Sequence, residues 1–315
     1  CVREIRFVIV GNDAFTQHIA CSYFAMTKLC PDFFKSVRVK FYLAPCTKNS
    51  LAGYIARHDA WYHRHVFTPL RSPCFLVPWL RDDENELKTG NDGPAPIFPT
   101  AYLRDCLTQY ARESAFTLDT VIFQIEGYYD ARGEGAPDEV VPFIQRAEIG
   151  LAAAVEEYRL RTRKPLGLRP EEALKDKAFS FQPIDLGVRF SRLDLSGLKQ
   201  PELIDEPLPY TSILLANVPR KTDSCFPPDP TAGCLEMHAQ AHKADRSKYK
   251  KNTLIVDPKQ HVAEVVVTSS NQQKFRILAD GNIYGPYASV RITVGTDLNG
   301  KVAKFPVQTF FPIDP

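Results

Sequence analysis

The chain has 315 residues, with 39 lysines and arginines against 37 aspartates and glutamates, a formal net charge of +2. Hydrophobic residues make up 44% of the chain, enough to bury a substantial core, which excludes an intrinsically disordered protein. The charge balance excludes a protein that binds nucleic acid over its whole surface, and the sequence has no apolar run of about 18 residues. This length predicts one large or two medium domains, and the start at Cys1 indicates a piece of a longer protein.

The N-terminal half alternates between strand and helix patterns. Residues 4–11 form an apolar, β-rich run that ends in glycine, which predicts a buried strand. Apolar residues at helical spacing predict a helix over 14–30, capped by Asp13, and a second strand follows at 37–44. Strand, helix and strand in such a short span form a βαβ unit with parallel strands. Further along, the patterns predict helices over 50–66, 99–114 and 147–163, strands over 117–128 and 139–145, and loops over 82–96 and 127–138.

A change in composition around residues 164–178, where prolines and charges accumulate, predicts a domain boundary. Beyond it, short strands are predicted over 179–190, 210–218, 234–242, 253–256, 262–268, 274–279, 287–294 and 304–311. Asp280-Gly281, between Leu278 and Ile283, is typical of a hairpin turn. We therefore predict an α/β Rossmann-like domain over 1–172, without a nucleotide fingerprint, followed by an antiparallel β-sandwich domain over 173–315.

The turn after the first strand is where a nucleotide would bind in such an α/β domain. A dinucleotide fingerprint needs three glycines, and here Gly11 is followed by Asn12 and Asp13. A carboxylate at the start of the helix would also repel a phosphate. The sequence therefore predicts no cofactor. An enzyme acting on a small molecule stays open as an alternative, which would need a deep pocket near Gly11.

Other catalytic and metal-binding patterns are also missing from the sequence. His58, His63 and His65 do not have the i, i+4 spacing of a helical metal pair. The eight cysteines include no Cys-x-x-Cys pair, and those at 21, 46, 74 and 106 lie among apolar residues, as buried free thiols do. Neither a nucleophile elbow nor a P-loop occurs. We expect no metal, no catalytic residue and a reduced, cytoplasmic protein that is not an enzyme.

A basic run over 243–251 is the most conspicuous charge feature. Its cations are Lys243, Arg246, Lys248, Lys250 and Lys251. Such a run forms either a solvated loop or a surface for an acidic partner or an anionic membrane. Because Tyr249 is its only aromatic residue, the run is a poor platform for stacking nucleic-acid bases, and no nucleic-acid partner is expected.

Several segments resemble, in collinear order, the regulatory (adaptor) subunits of class IB phosphoinositide 3-kinase. The opening strand Ile5–Gly11 and the strand end Phe41–Pro45 are similar to the conserved α/β region of that family. The resemblance continues through His58–Val66, with its Asp-x-Trp-Tyr element, then Ala147–Leu151, Tyr210–Ser212, and Leu235–Lys251.

A second family, the phosphofurin acidic cluster sorting proteins, shares other features. Its C-terminal region has a similar opening strand, a similar Pro31-Asp32 and a similar Leu278-x-Asp280-Gly281 hairpin. Trp61-Tyr62 and the Glu148–Gly150 segment favour the kinase adaptors, whereas the hairpin favours the sorting proteins. The second resemblance leaves open a trafficking adaptor that binds acidic-cluster cargo.

The first resemblance implies a non-catalytic subunit that binds the kinase catalytic subunit and couples it to G-protein βγ dimers at the plasma membrane. Exposed apolar area on the first domain would dock the kinase, and the basic run over 243–251 would face the membrane or an acidic partner. The hairpin is expected at a partner interface, although it lacks the basic pair of the family's βγ-binding loop. Its residues are Asp280, Gly281, Asn282, Ile283 and Tyr284.

Overall fold

The computed structural model describes residues 3–71, 100–130, 135–162, 170–173, 175–180, 184–193, 201–217, 233–242, 254–256, 260–269 and 273–313. These residues form two compact units. Unit 1 holds the described residues up to Thr120 together with those from Lys304 onward, and unit 2 holds those from Val121 to Ala303.

The described helices are α1 (Asp13–Leu29), α2 (Pro31–Ser36), α3 (Ser50–His58), α4 (Ala60–Tyr62), a π-helical turn (His63–Phe67), α5 (Thr68–Arg71), α6 (Thr100–Glu113), α7 (Leu151–Thr162) and α8 (Pro170–Ala173). The described strands are β1 (Arg3–Val10), β2 (Val37–Ala44), β3 (Phe116–Val121), β4 (Phe123–Tyr128), β5 (Glu139–Phe143), β6 (Arg146–Ile149), β7 (Leu186–Arg192), β8 (Glu202–Ala216), β9 (Leu235–His242), β10 (Leu254–Val256), β11 (Gln260–Ser269), β12 (Phe275–Ala279), β13 (Asn282–Tyr287), β14 (Ser289–Val294) and β15 (Lys304–Thr309). Among these helices, none has the length and apolarity needed to cross a bilayer.

Unit 1 is built on a small sheet. Its described strands lie in the order β1-β2-β15-β3. β1 and β2 are parallel in an unbroken register from Arg3 opposite Val37 to Val10 opposite Ala44, which confirms the parallel pair predicted for the βαβ unit. β15 is also parallel to β2. Tyr23 of α1 packs edge-on against Phe41 of β2, with ring centroids 5.2 Å apart, and this contact fixes the helix to one face of the sheet.

Helix α6 and the chain end are tied together within unit 1. The buried hydroxyl of Tyr110 donates a hydrogen bond of 2.6 Å to the carbonyl of Gln308 at the end of β15. The buried carboxylate of Asp59 accepts hydrogen bonds from the amides of Tyr62 and Phe310, at 2.9 and 2.6 Å. The Tyr110 hydroxyl and the Asp59 carboxylate thus both have partners, as buried polar groups require.

Unit 2 is built on a large antiparallel sheet. Its described strands lie in the order β13-β12-β6-β8-β7-β11-β14-β4-β5, with β9 paired to β8, β10 and β11. Alternate residues of these strands form one buried apolar cluster that includes Phe123, Phe143 and Phe190. The chain is therefore a mixed α/β protein with a small sheet that contains parallel strands and a large antiparallel sheet.

Strand membership differs from the boundary predicted after residue 172. Three strands that lie before that boundary, β4, β5 and β6, belong to the large sheet. β4 pairs with β14 and β5, and β6 pairs with β8 and β12. β15 lies at the far end of the chain but joins the small sheet beside β2. Local composition marks changes along the chain, whereas sheet membership depends on pairing between distant segments.

Several predicted elements differ from the structure. The helix predicted over 50–66 is interrupted at Asp59, between α3 and α4, and the strand predicted over 179–190 begins only at Leu186. The strand over 117–128 is divided at Ile122, whose carbonyl accepts a hydrogen bond from the amide of Gly295. The helix predicted from 147 begins at Leu151, because β6 occupies Arg146–Ile149. The strand predicted as buried, β1, is mostly exposed because it is the edge of the small sheet. The loop predicted over 82–96 lies outside the described residues.

Candidate functional site

The carboxyl ends of β1 and β2, where the enzyme alternative requires a pocket, are occupied by contacts within the chain. Asn12 is the cap of α1, in place of the predicted Asp13, and accepts a hydrogen bond of 2.9 Å from the amide of Phe15. The Asp13 carboxylate instead accepts hydrogen bonds from the amide and hydroxyl of Ser50, at 2.5 and 3.0 Å. The starts of α1 and α3 therefore meet around a protein carboxylate, at the position where a phosphate would need free donors.

The histidine segment packs against aromatic rings. The ring of His58 lies 4.6 Å from that of Tyr54, and burial lowers the pKa of His58 below its ordinary value. His65 Nδ1 lies 2.9 Å from the hydroxyl of Tyr102. His63 lies on the π-helical turn next to Phe67. Over the described residues, no group of three histidine, cysteine or acidic side chains is arranged to hold a metal ion.

Cysteine burial differs in part from the expectation. Cys106 is buried, but Cys21 and Cys46 are half-buried, and Cys74 lies outside the described residues. Burial raises the pKa of the Cys46 thiol, which keeps this side chain protonated at neutral pH. Such a thiol is a weak nucleophile, so its chemistry adds nothing to a catalytic interpretation.

The hairpin predicted at a partner interface forms, but its first residue faces inward. Asp280 and Gly281 make the turn between β12 and β13, both at positive φ, with Ala279 opposite Asn282. The Asp280 side chain is buried, and its carboxylate accepts three backbone hydrogen bonds from residues 144–146, at 2.7, 3.0 and 2.7 Å. Gly281 is exposed, and Asn282, Ile283 and Tyr284 are half-buried. Asp280 therefore holds the loop between β5 and β6 in place.

The predicted basic site lies outside the described residues. This holds for Lys243, Arg246, Lys248, Lys250 and Lys251 alike. The strands that flank the run, β9 and β10, pair with each other from Leu254 opposite His242 to Val256 opposite Gln240. The two strands that flank the run in the sequence are therefore neighbours in the large sheet.

Exposed apolar side chains concentrate in the first three elements of unit 1. Of the fifteen large hydrophobic side chains exposed among the described residues, seven lie between residues 7 and 33. We call these seven the α1–β1 surface: Phe7, Val8 and Val10 of β1, Phe15, Met26 and Leu29 of α1, and Phe33 of α2. Leu29 is 79% exposed and Val10 51%. Because side chains alternate along a strand, Phe7 lies on the α1 side of the sheet, whereas Val8 and Val10 lie on the opposite face. Exposed apolar residues concentrated in neighbouring elements of a folded domain are typical of a protein-interaction site.

Aromatic contacts link the strand and helix parts of this surface. Phe7 stacks on Phe41 at 5.7 Å, and Phe41 contacts Tyr23 of α1. Tyr23 in turn packs edge-on against Phe34, which does the same against Phe33, with centroid distances of 5.5 and 5.2 Å. A partner that contacts Phe7 or Phe33 would thus bind aromatic rings whose positions are already fixed by their neighbours. The loss of side-chain conformational entropy on binding is therefore smaller.

Charged side chains border the β1 end of the surface. Glu4 accepts hydrogen bonds from Lys40 and Arg6, at 2.8 and 2.6 Å. Lys40 and then Arg6 hold the pKa of Glu4 below its ordinary value of 4.5. Arg6 also donates to the carbonyl of Ala111 on α6, at 2.9 Å, so its charge is fixed beside the strand.

Unit 2 contains an open cavity of about 250 Å³ beside the start of α7. Its wall includes Gly150, Ala153 and Phe275, and an ion pair of 3.3 Å between Glu157 and Arg276 lies on it. The wall thus combines apolar side chains with this ion pair and with the polar residues Ser180, Thr211 and Lys274.

Sequence reasoning missed the residues of the α1–β1 surface. The run over 4–11 is predicted as a buried strand, and the apolar spacing that predicts α1 includes Phe15 and Leu29, yet both of these side chains are exposed. The buried face of α1 carries Asp13, Thr16, Gln17, Ala20 and Phe24 instead. The available signal in the sequence was the set of polar residues at the start of α1, namely Asp13, Thr16 and Gln17. In the structure the Thr16 hydroxyl accepts a hydrogen bond of 2.9 Å from the Asn49 side-chain amide.

Comparison with known proteins adds little. No family model matches the chain. A putative protein from Dictyostelium discoideum is 35% identical over 77 residues, which are 24% of this chain. The match spans only 6% of the length of that protein.

Proposed function

We propose that this chain is a non-catalytic adaptor that binds a protein partner through the α1–β1 surface. The observation that carries the proposal is the concentration of seven exposed apolar side chains on β1, α1 and α2, of which Val8 and Val10 lie on the face of the sheet away from α1. A second support is the start of α1, where the Asp13 carboxylate and Ser50 satisfy each other. Exposed apolar side chains, next to polar groups that already hydrogen-bond each other, are more typical of a protein-binding surface than of a site for chemistry on a small molecule.

Within this class, we propose a regulatory subunit of class IB phosphoinositide 3-kinase that couples the kinase to G-protein βγ. The support is the collinear sequence resemblance to that family, from Ile5–Gly11 to Leu235–Lys251. The proposed scaffold is a Rossmann-like α/β domain that docks the kinase and a β-sandwich that receives βγ. The parallel β1-α1-β2 unit and the large antiparallel sheet are compatible with it.

The proposed location is cytoplasmic, with recruitment to the plasma membrane. The basic run over 243–251 carries five cations and one anion. Near an anionic membrane each basic residue contributes about 1 kcal/mol, and this contribution weakens as salt screens it. Replacement of the five cations by glutamine is expected to abolish salt-sensitive binding to phosphatidylserine vesicles in a sedimentation assay.

The kinase proposal is tested by co-purification of the chain with the class IB catalytic subunit. A stoichiometric complex is expected. The double substitution Met26→Glu with Leu29→Glu places two charges on the α1–β1 surface and should weaken the complex at least about tenfold, or about 1.4 kcal/mol. Leu203→Glu is the matched control, because Leu203 is 70% exposed but lies on β8 of unit 2.

Two outcomes would contradict the proposal. If the wild-type chain forms no complex, the kinase assignment is wrong. If the double variant and the Leu203→Glu control bind equally well, the docking surface is wrong. Thermal unfolding of each variant shows whether the fold is retained, since solvent-exposed substitutions should leave the midpoint nearly unchanged.

A trafficking adaptor of the acidic-cluster sorting type is the second candidate function. The observation that favours it is the two-residue hairpin at Asp280-Gly281, a feature of that resemblance. Phosphorylated acidic-cluster peptides should then bind the chain, and the kinase subunit should not. Isothermal titration with such a peptide and its unphosphorylated form separates the two functions.

A further inference from the structure

We propose that the outer edge of β1 receives an extended strand from the partner protein, with apolar residues along Val8 and Val10 and acidic residues beside Arg6. This inference rests on the proposed adaptor function and specifies how the partner is recognised. The added strand would extend the small sheet beyond β1, which is known as β-augmentation. Backbone hydrogen bonds would supply affinity, and the side chains of β1 would supply specificity.

The backbone of β1 has a free side whose residues can be identified. The amide of Gly11 donates to the carbonyl of Ala44 on β2, at 3.3 Å. In a parallel ladder, alternate residues of a strand turn their amide and carbonyl to the same neighbour. Odd-numbered residues of β1 therefore bond to β2, and the amides and carbonyls of Glu4, Arg6, Val8 and Val10 point to the outer edge.

The second half of the edge, Phe7 to Val10, lacks the features that usually prevent strand addition, because the charges of β1 are confined to Arg3, Glu4 and Arg6. Within the described part of the chain, β1 is paired with β2 alone, over eight residues and without a bulge. Its sequence, Arg3 to Val10, contains neither proline nor glycine, and its second half is Phe-Val-Ile-Val. Natural edge strands are generally protected by bulges, prolines or charges, so a regular edge whose second half is apolar and uncharged indicates a strand-binding site.

The charges on this face select the incoming strand. Glu4 and Arg6 lie opposite Arg38 and Lys40 in the β1–β2 register, so this part of the face carries three cations and one anion. Val8 and Val10, which follow on the same face, are 43% and 51% exposed. The complementary strand is therefore acidic near Arg6 and apolar near Val10.

A second copy of this chain would be a poorer occupant. In a parallel pairing of two β1 strands, Arg6 would lie near the Arg6 of the copy, and like charges across strands are destabilising. In an antiparallel pairing, Arg3 and Glu4 would lie near the apolar residues at the end of the other strand. The charge pattern thus favours a partner of different sequence.

Proline at position 8 tests the strand addition directly. Val8→Pro removes one outward-facing amide and no hydrogen bond of the β1–β2 ladder, and proline is tolerated on edge strands in that orientation. Val8→Thr is the matched control, because it keeps the amide, the β-branched shape and the exposure. The dissociation constant of the complex with the class IB catalytic subunit should rise at least about tenfold for Val8→Pro and less than about threefold for Val8→Thr.

The outcomes separate the two proposals. If the wild-type chain binds and Val8→Pro binds equally well, strand addition at β1 is wrong while the adaptor function stands. If Val8→Pro and Val8→Thr weaken binding equally, the partner recognises the Val8 side chain and not its backbone amide, which also overturns strand addition. If Val8→Pro lowers the unfolding midpoint, Val10→Pro is the replacement test. It removes another outward-facing amide, and because Val10 is the last residue of β1, it disturbs fewer hydrogen bonds between β1 and β2.

If the wild-type chain forms no kinase complex, a pair of fluorescent peptides tests strand addition at β1 without the kinase. Both peptides carry the same alternating valine and threonine core, one with two flanking glutamates and the other with two flanking lysines. The acidic peptide should bind the wild-type chain and Val8→Thr at least about tenfold more tightly than it binds Val8→Pro, by fluorescence anisotropy. Equal binding of the two peptides, binding of neither, or formation of a homodimer through β1 would overturn the inference.

Discussion

At the scale of single residues, buried carboxylates in this protein hold backbone segments together. The Asp280 side chain is 1% exposed and accepts hydrogen bonds from the amides of Ile144, Gln145 and Arg146. Three backbone hydrogen bonds to one side chain offset the cost of taking that polar group out of water. The sequence predicts the turn at this residue but gives no sign of these distant donors.

Loss of the Asp280 carboxylate should destabilise unit 2. Asp280→Ala leaves three buried amides without acceptors and should lower the free energy of unfolding by about 3 to 5 kcal/mol. Asp205→Ala is the control: Asp205 forms an exposed ion pair with Arg189, so its loss should cost below about 0.5 kcal/mol. Urea titration followed by circular dichroism measures both. Equal midpoints for the two variants would show that the buried hydrogen bonds contribute little.

The lowered pKa of Glu4 predicts a pH dependence of stability. Because its folded-state pKa lies below the ordinary 4.5, ionised Glu4 stabilises the folded state at neutral pH. This contribution is present above pH 4.5 and is lost as the pH falls through the lower folded-state pKa. Between pH 6 and pH 3 the free energy of unfolding should therefore fall less for Glu4→Gln than for the wild type. The difference should be below about 1 kcal/mol, because the ion pairs of Glu4 lie at the surface. Urea titrations at several pH values measure the free energy of unfolding of both proteins. An equal loss of this free energy between pH 6 and pH 3 in the two proteins would contradict the prediction.

At the scale of elements, the junction between β6 and α7 shows how one glycine sets a boundary. Gly150 has φ of +95°, and a Cβ atom there would lie 2.2 Å from the carbonyl oxygen of Thr211. A side chain is thus excluded by both conformation and space. The alanine- and glutamate-rich sequence that follows predicts a helix, but β6 comes first because Arg146–Ile149 pairs with β8 and β12.

Alanine at this glycine should be strongly destabilising. Gly150→Ala combines an unfavourable φ with a contact to backbone and should cost about 3 kcal/mol or more. Gly135→Ala is the matched control, because Gly135 also has positive φ (+107°) but no atom of the described residues lies within 4 Å of its would-be Cβ. The control should lose only about 1 kcal/mol, from conformational strain. Thermal unfolding of both variants checks this, and similar midpoints would show that Thr211 moves aside.

At the scale of the whole molecule, the order of the chain does not match the order of the sheets. β15, at the end of the chain, lies between β2 and β3 in the small sheet. β4, β5 and β6, from the first half, belong to the large sheet. A cut at the boundary that composition predicts would thus remove strands from both sheets.

A fragment of residues 1–172 is therefore expected not to fold. It lacks β15, the strand between β2 and β3, and it contains β4–β6 without β8, β12 and β14. Exposed strand edges of this kind promote aggregation. The fragment should show no cooperative urea transition, whereas the full chain should. A cooperative transition of the fragment would show that the first half folds by itself.

The sequence by itself determined the elements whose signals are local. The apolar runs and the cap region predict β1, α1 and β2 in parallel order, and Asp280-Gly281 predicts the hairpin between β12 and β13. Such features depend on residue spacing and turn conformation, which neighbouring residues fix. The resemblance to kinase adaptors and the basic run over 243–251 also come from the sequence alone.

Only the tertiary structure decided which apolar residues are exposed and which strands share a sheet. The run Phe7 to Val10 has the composition of a buried strand, yet it lies at an edge because β15 takes the place on the other side of β2. Asp280 looks like an exposed turn residue but is buried by a loop more than 130 positions away. Burial and pairing depend on segments that meet only in the folded chain, and for that reason the α1–β1 surface could not be predicted from local pattern.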